Sequence, residues 1–144
     1  MTLYEYITEA PTEDWILVPV GWLDSPSDMW SQTFTVGTVG ENENHTLETI
    51  KLKAMRSGSP GLLNIRISSV DANGKPATDS LSTGSYNGNL LPVGKHNQPE
   101  KAEEITIYMT KYVLLKDTKY AIVAYAPSSN ASNVIYLIGW WKPL

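Results

Sequence analysis

Two histidines, His45 and His96, are the chain's only imidazoles, and both sit in polar loop sequence. Nucleophilic catalysis needs a nucleophile, a base and an orienting acid within hydrogen-bond reach. Serines are plentiful, yet no Gly-x-Ser-x-Gly elbow occurs. Gly58-Ser59-Pro60-Gly61 comes nearest and reads as a turn. The adjacent carboxylates Glu13-Asp14 and Glu103-Glu104 are not dyads, because neighbours on a strand point to opposite faces. No phosphate-cradling glycine motif is present. The expectation is a protein that is not an enzyme.

Hard-cation chemistry needs several oxygen ligands on one loop. Asp71-Ala72-Asn73-Gly74 begins such a loop, without the distal Glu. Asp71 and Asn73 are therefore weak candidates for a structural calcium, and Asn-Gly at this point reads first as a tight turn. Glu41-Asn42-Glu43-Asn44 is a second oxygen-rich stretch. No other cofactor is implied.

Aromatic rings beside amides suit sugar recognition, since rings pack on C–H faces and amides reach hydroxyls. The chain has five Trp and eight Tyr against one Phe, a bias toward rings that carry a polar handle. Trp22, Trp30, Tyr86, Trp140 and Trp141 are the candidates, with Asn87 and Asn89 on the loop after Tyr86. In a strand, one of Trp140 and Trp141 faces inward and the other outward. The competing reading puts these rings in the core or in a subunit contact. Two glycosylation triplets, at Asn44 and Asn130, gain meaning only in a eukaryotic secretory setting.

The elements that position these residues are strands. Leu47 to Ala54 and Leu63 to Ile67 alternate apolar and polar residues on either side of the Gly58–Gly61 turn. The alternation recurs at Ile105-Thr106-Ile107 and from Tyr120 to Tyr125. Strands are predicted at 15–18, 30–36, 46–56, 61–70, 103–108, 120–126 and 134–141, with a weaker one at 81–86. Pro19 belongs at a sheet edge. Tyr86 to Gln98 is expected as a long loop. No stretch has sustained helical spacing. The predicted fold is all-β: an antiparallel β-sandwich, with a jelly roll as first reading and an immunoglobulin-like sandwich as second.

At 144 residues the chain suits one domain, 15–144, preceded by an arm or edge strand over 1–14. Net charge is -4 and no basic stripe occurs, which argues against a nucleic-acid partner. There are no cysteines, so disulfides, Cys-ligated zinc and thiol chemistry are excluded. No apolar run approaches the length of a membrane-spanning helix, and no membrane insertion is expected. Met1-Thr2-Leu3-Tyr4-Glu5 lacks the basic and apolar regions of a secretory leader.

Gln32-Thr33-Phe34, Ile50-Lys51-Leu52, Gly58–Gly61, Asp71–Pro76 and Leu115–Val123 together form a pattern of strands and turns over 30 to 141. That pattern resembles carbohydrate-binding-like jelly-roll modules of extracellular and virion surface proteins. The resemblance implies a non-catalytic protein at a virion or extracellular surface. A virion protein released by lysis would need no leader. The first functional expectation is a structural or decoration protein that contacts other protein subunits, as a homo-oligomer, through edge strands and the arm. The second is a carbohydrate-binding module whose glycan is met by Trp22, Tyr86, Asn87, Asn89 and one of Trp140 and Trp141.

Overall fold

In the computed structural model, residues 17–20, 29–38, 41–138 and 142–143 are described. They form nine strands: β1 (Leu17–Val20), β2 (Trp30–Thr35), β3 (His45–Ser57), β4 (Leu62–Ser69), β5 (Ser82–Asn87), β6 (Glu103–Leu114), β7 (Lys119–Tyr125), β8 (Val134–Ile138) and β9 (Lys142–Pro143). Every pairing between these strands is antiparallel. The all-β class predicted from alternation is the one observed. The predicted arm over 1–14 lies outside the described residues.

Alternation decides which side chains face inward. Along β4, Leu63, Ile65 and Ile67 are buried, whereas Leu62, Asn64 and Arg66 are more exposed. Along β6, Ile105, Ile107 and Met109 turn in. These residues meet Ile50 and Ala54 of β3, Tyr120 and Ala124 of β7, and Ile135 and Leu137 of β8 in one core. Each Leu or Ile fully removed from water there contributes about 1.5–3 kcal/mol. Strand β7 departs from the one-wet-face pattern, because Ala121 and Val123 on its other face are also fully buried.

The strands follow the order β1-β8-β3-β6-β5-β4-β7-β2-β9 across one curled sheet. Four ladders obey a simple rule: β1 pairs with β8, β2 with β7, β3 with β6, and β4 with β5. The first eight strands thus make one long antiparallel ribbon whose hairpin tip is β4–β5. Ladders β3–β8 and β4–β7 lay that ribbon back on itself. As a result, alternate connections collect at opposite ends. The β3–β4, β5–β6 and β7–β8 loops share one end, and the β2–β3, β4–β5 and β6–β7 loops share the other.

The ladder is continuous. Its two sections, β1-β8-β3-β6 and β5-β4-β7-β2-β9, are joined where Gly84 pairs with Met109. A Cβ on Gly84 would stand 2.5 Å from the Tyr108 carbonyl oxygen and 2.6 Å from the Met109 sulfur. Only a glycine lets the two backbones approach this closely. Ser82 Oγ donates to the Thr110 carbonyl, and Thr83 N–H donates to Thr110 Oγ1 at 3.0 Å, extending the seam.

The sequence reading ended the sixth strand at Tyr108, but β6 continues to Leu114. A bulge lies between Leu47 and Thr49 of β3, opposite Met109 to Lys111 of β6. Extra residues at a bulge break the two-residue period, so the sequence pattern fades there although pairing resumes. β9 was not predicted either; its two residues pair with Trp30 and Ser31 at the rim of the sheet. Pro19 lies in β1, a rim strand as expected. The weak strand over 81–86 is a regular one, β5. The long loop after it holds two short 3-10 turns, Gly88–Leu90 and Pro99–Lys101.

Candidate binding surface

Tyr86, Asn87 and Asn89 lie where β5 runs into the first 3-10 turn. Tyr86 is half-buried and packs against the core. Asn87 Oδ1 accepts the Asn89 N–H at 3.1 Å, capping that turn. Asn89 Oδ1 in turn accepts the Gly61 N–H at 3.0 Å. Gly88 N–H donates to the Gly61 carbonyl at 2.8 Å. A Cβ on Gly88 would run into that carbonyl and the Ile135 side chain.

The neighbouring loops are tied in the same way. Asn133 Oδ1 accepts the Ser59 N–H at 2.8 Å. Arg56 donates from Nε to the Leu91 carbonyl at 2.8 Å and from Nη1 to the Gly58 carbonyl at 2.6 Å. Leu91 itself is buried in the core. The polar side chains at this end therefore join three loops to one another. Three apolar side chains at this end also face outward: Leu90 is 71% exposed, Val93 63% and Leu62 50%.

The oxygen-rich loops show the same economy. Asp71 Oδ1 accepts the N–H groups of Asn73 at 2.8 Å and Lys75 at 3.0 Å, so this carboxylate closes its own turn. Asn42 Nδ2 donates to Asp117 Oδ1 at 2.7 Å, and Asp117 N–H returns a bond to Asn42 Oδ1 at 3.0 Å. Asn44 Oδ1 accepts the Lys116 N–H at 2.9 Å. Asx side chains commonly serve turns in this way. Among the described residues, no group of three or more His, Cys, Asp or Glu is placed to hold a metal ion.

Asp79 is held by donors from Ser69. Ser69 Oγ–H donates to it at 2.6 Å and Ser69 N–H at 2.9 Å. The hydroxyl bond is the main cause that favours the ionised form and holds the Asp79 carboxyl below the ordinary value; burial opposes it, and the backbone N–H bonds add to the lowering. Arg66 bridges the Ala77 and Asp79 carbonyls nearby. His45 Nδ1 lies 3.1 Å from the Glu43 carbonyl, and His96 packs edge-on against Tyr136.

Trp30 is half-buried against the core. Trp22, Trp140 and Trp141 lie outside the described residues. The exposed ring that the sequence reading missed is Tyr108. It projects from β6 away from the core, 78% exposed. The signal was present: Ile105, Ile107 and Met109 fix the inward phase, which leaves Thr106 and Tyr108 outward. Across the ladder Tyr108 faces Thr49, and Thr106 faces Lys51. Two exposed ion pairs flank the ring along the strands: Lys51–Glu104 at 4.0 Å and Lys111–Glu48 at 3.4 Å.

Comparison with protein-family models, curated proteins and solved structures found no match.

Proposed function

We propose that this protein is a non-catalytic structural or decoration protein of a virion or a similar extracellular surface assembly. It is built as a jelly roll and acts through protein–protein contacts. The ribbon pairing of the first eight strands, laid back on itself, supports the jelly-roll reading. The functional reading rests on one observation. At the Gly58–Gly61 end, polar side chains are spent on holding the loops together, and Leu62, Leu90 and Val93 are presented outward. Exposed apolar groups on a rigid frame suit burial against another subunit.

Light scattering on the full chain and on the triple variant Leu62→Ser, Leu90→Ser, Val93→Ser tests this reading. A defined oligomer that becomes monomeric in the variant supports it. A monomer in both samples, at concentrations where surface assemblies form, sinks self-association through this end.

A second reading, a glycan-binding module, is favoured by a different observation. Tyr108 stands in the middle of a ladder face, among hydroxyl, ammonium and carboxylate side chains. That combination provides a ring for a sugar's C–H face and donors and acceptors for its hydroxyls.

A further inference from the structure

We propose that Asn73 is a site of spontaneous covalent modification in the folded protein, where its side-chain amide is lost to aspartate and isoaspartate through ring closure on Gly74. This site is independent of the assembly and glycan readings. The chain has two Asn-Gly steps, Asn73-Gly74 and Asn87-Gly88, and the fold treats them differently.

The reaction exchanges acyl bonds and needs only water. The Gly74 backbone nitrogen gives up its proton and attacks the Asn73 side-chain carbonyl carbon. A new C–N bond forms there, the bond to the side-chain nitrogen breaks, and that nitrogen leaves with the proton as ammonia. Water then opens the cyclic imide at either carbonyl, giving aspartate or isoaspartate. Nothing is oxidised or reduced. A glycine after the asparagine favours closure, because no Cβ on the attacking residue obstructs the approach.

Closure requires a free side-chain amide, a glycine nitrogen that can be released, and room for the two to meet. Asn73 is exposed, and its side-chain amide makes no hydrogen bond among the described residues; only its backbone N–H is engaged, donating to Asp71 Oδ1 at 2.8 Å. Gly74 N–H donates to the Asp71 carbonyl at 3.0 Å across an exposed turn, a bond of the kind that opens locally at little cost. A Cβ built on Gly74 would find its nearest neighbour outside the adjacent residues at 3.8 Å, the Nζ of exposed Lys119. At Asn87-Gly88 each requirement fails. Asn87 Oδ1 accepts the Asn89 N–H at 3.1 Å, and Gly88 N–H donates to the Gly61 carbonyl of another loop at 2.8 Å. Gly88 is buried, and a Cβ on it would stand 2.8 Å from Ile135 Cδ1.

Ring opening places a carboxylate beside Asp71 and adds a negative charge to a chain of net charge -4. The isoaspartate product also lengthens the main chain after residue 73. That shift moves the Lys75 N–H away from Asp71 Oδ1, which accepts it at 3.0 Å. The turn belongs to the β4–β5 connection, at the end of the sheet opposite Leu62, Leu90 and Val93.

The experiment is a timed incubation of the full chain at mildly alkaline pH, in buffer and in guanidinium chloride, followed by peptide mapping with mass spectrometry. In guanidinium chloride, where both steps are freed, Asn73 and Asn87 are expected to convert at rates within about threefold of each other. In buffer, Asn73 is expected to convert at least about tenfold faster than Asn87, with aspartate and isoaspartate both appearing at position 73. Ammonia released by the folded chain is a second readout. It should disappear in Asn73→Gln, whose longer side chain disfavours the ring.

Equal conversion of the two steps in buffer would overturn the proposal, because the fold would then not distinguish them. An Asn73 that stays intact in buffer while it converts in guanidinium chloride would also overturn it, since the Asp71 turn would then be protecting the step. Ammonia release that persists unchanged in Asn73→Gln would place the reactive amide elsewhere and overturn it as well.

Discussion

The amide-rich loop end and the outer β3–β6 face divide the protein's polar groups in opposite ways. At the loop end, Asn89, Asn133 and Arg56 spend hydrogen bonds on backbone groups of neighbouring loops, and Asn87 spends one on its own turn. On the β3–β6 face, two exposed ion pairs at 3.4 and 4.0 Å join side chains of the two strands. The first region is held by its polar side chains; the second has polar side chains to offer. Residue type alone suggests the reverse, because Tyr-Asn-Gly-Asn reads like a binding loop and an alternating strand reads like scaffold. What decides the matter is where each donor and acceptor is already satisfied.

The largest break in this contrast is expected from Leu91→Ala. Leu91 fixes the loop after β5 in the core, and truncating a buried leucine costs about 2–5 kcal/mol. Chemical denaturation should show a lower midpoint at unchanged slope. Gly88→Ala comes next. Its new methyl meets the Gly61 carbonyl and Ile135, and overpacking of this kind costs about 1–3 kcal/mol. Asn89→Ala should cost about 1 kcal/mol by the same measurement, since one bond to the Gly61 N–H is lost at an exposed site.

A smaller effect sharpens the contrast through pH. Asp79 has its carboxyl held below the ordinary value by Ser69. The unfolded chain therefore binds the proton first. The stabilisation is full above the ordinary aspartate pKa of 3.8 and is lost as pH falls through the lower folded value. Asp79→Asn should flatten the stability profile in that acid window by lowering stability at neutral pH while leaving the most acidic end nearly unchanged; an unchanged acid limb would refute the assignment. The smallest change in stability is expected for Tyr108→Ala, within about 0.5 kcal/mol, because an exposed ring supports nothing beneath it. A loss comparable to that of Leu91→Ala would make Tyr108 a structural residue and erase the distinction between the two regions.

Strand positions were legible wherever alternation was unbroken, as from Leu63 to Ile67 and from Ile105 to Ile107. They were hidden where geometry overrides period. The bulge opposite Glu48 concealed the second half of β6. The strand over 81–86 read as a weak one, yet its Gly84 is the seam that joins the two sections of the sheet. The roles of Asn42, Asn44 and Asp71 were also unreadable from type alone. A short polar side chain can bind a ligand or close a turn, and only the nearby N–H groups distinguish the two.

The ribbon pairing also carries a consequence for time. Its tip, β4–β5, joins neighbours in sequence, whereas the outermost described ladder brings Leu17 to Ile138. Ladders closer to the tip close shorter loops, so the ribbon is expected to zip outward from β4–β5 through β3–β6 and β2–β7 to β1–β8. During synthesis, β1 must therefore wait for almost the whole described chain to emerge. Until then its backbone groups are open to any other strand that arrives first, including the same strand of a neighbouring chain.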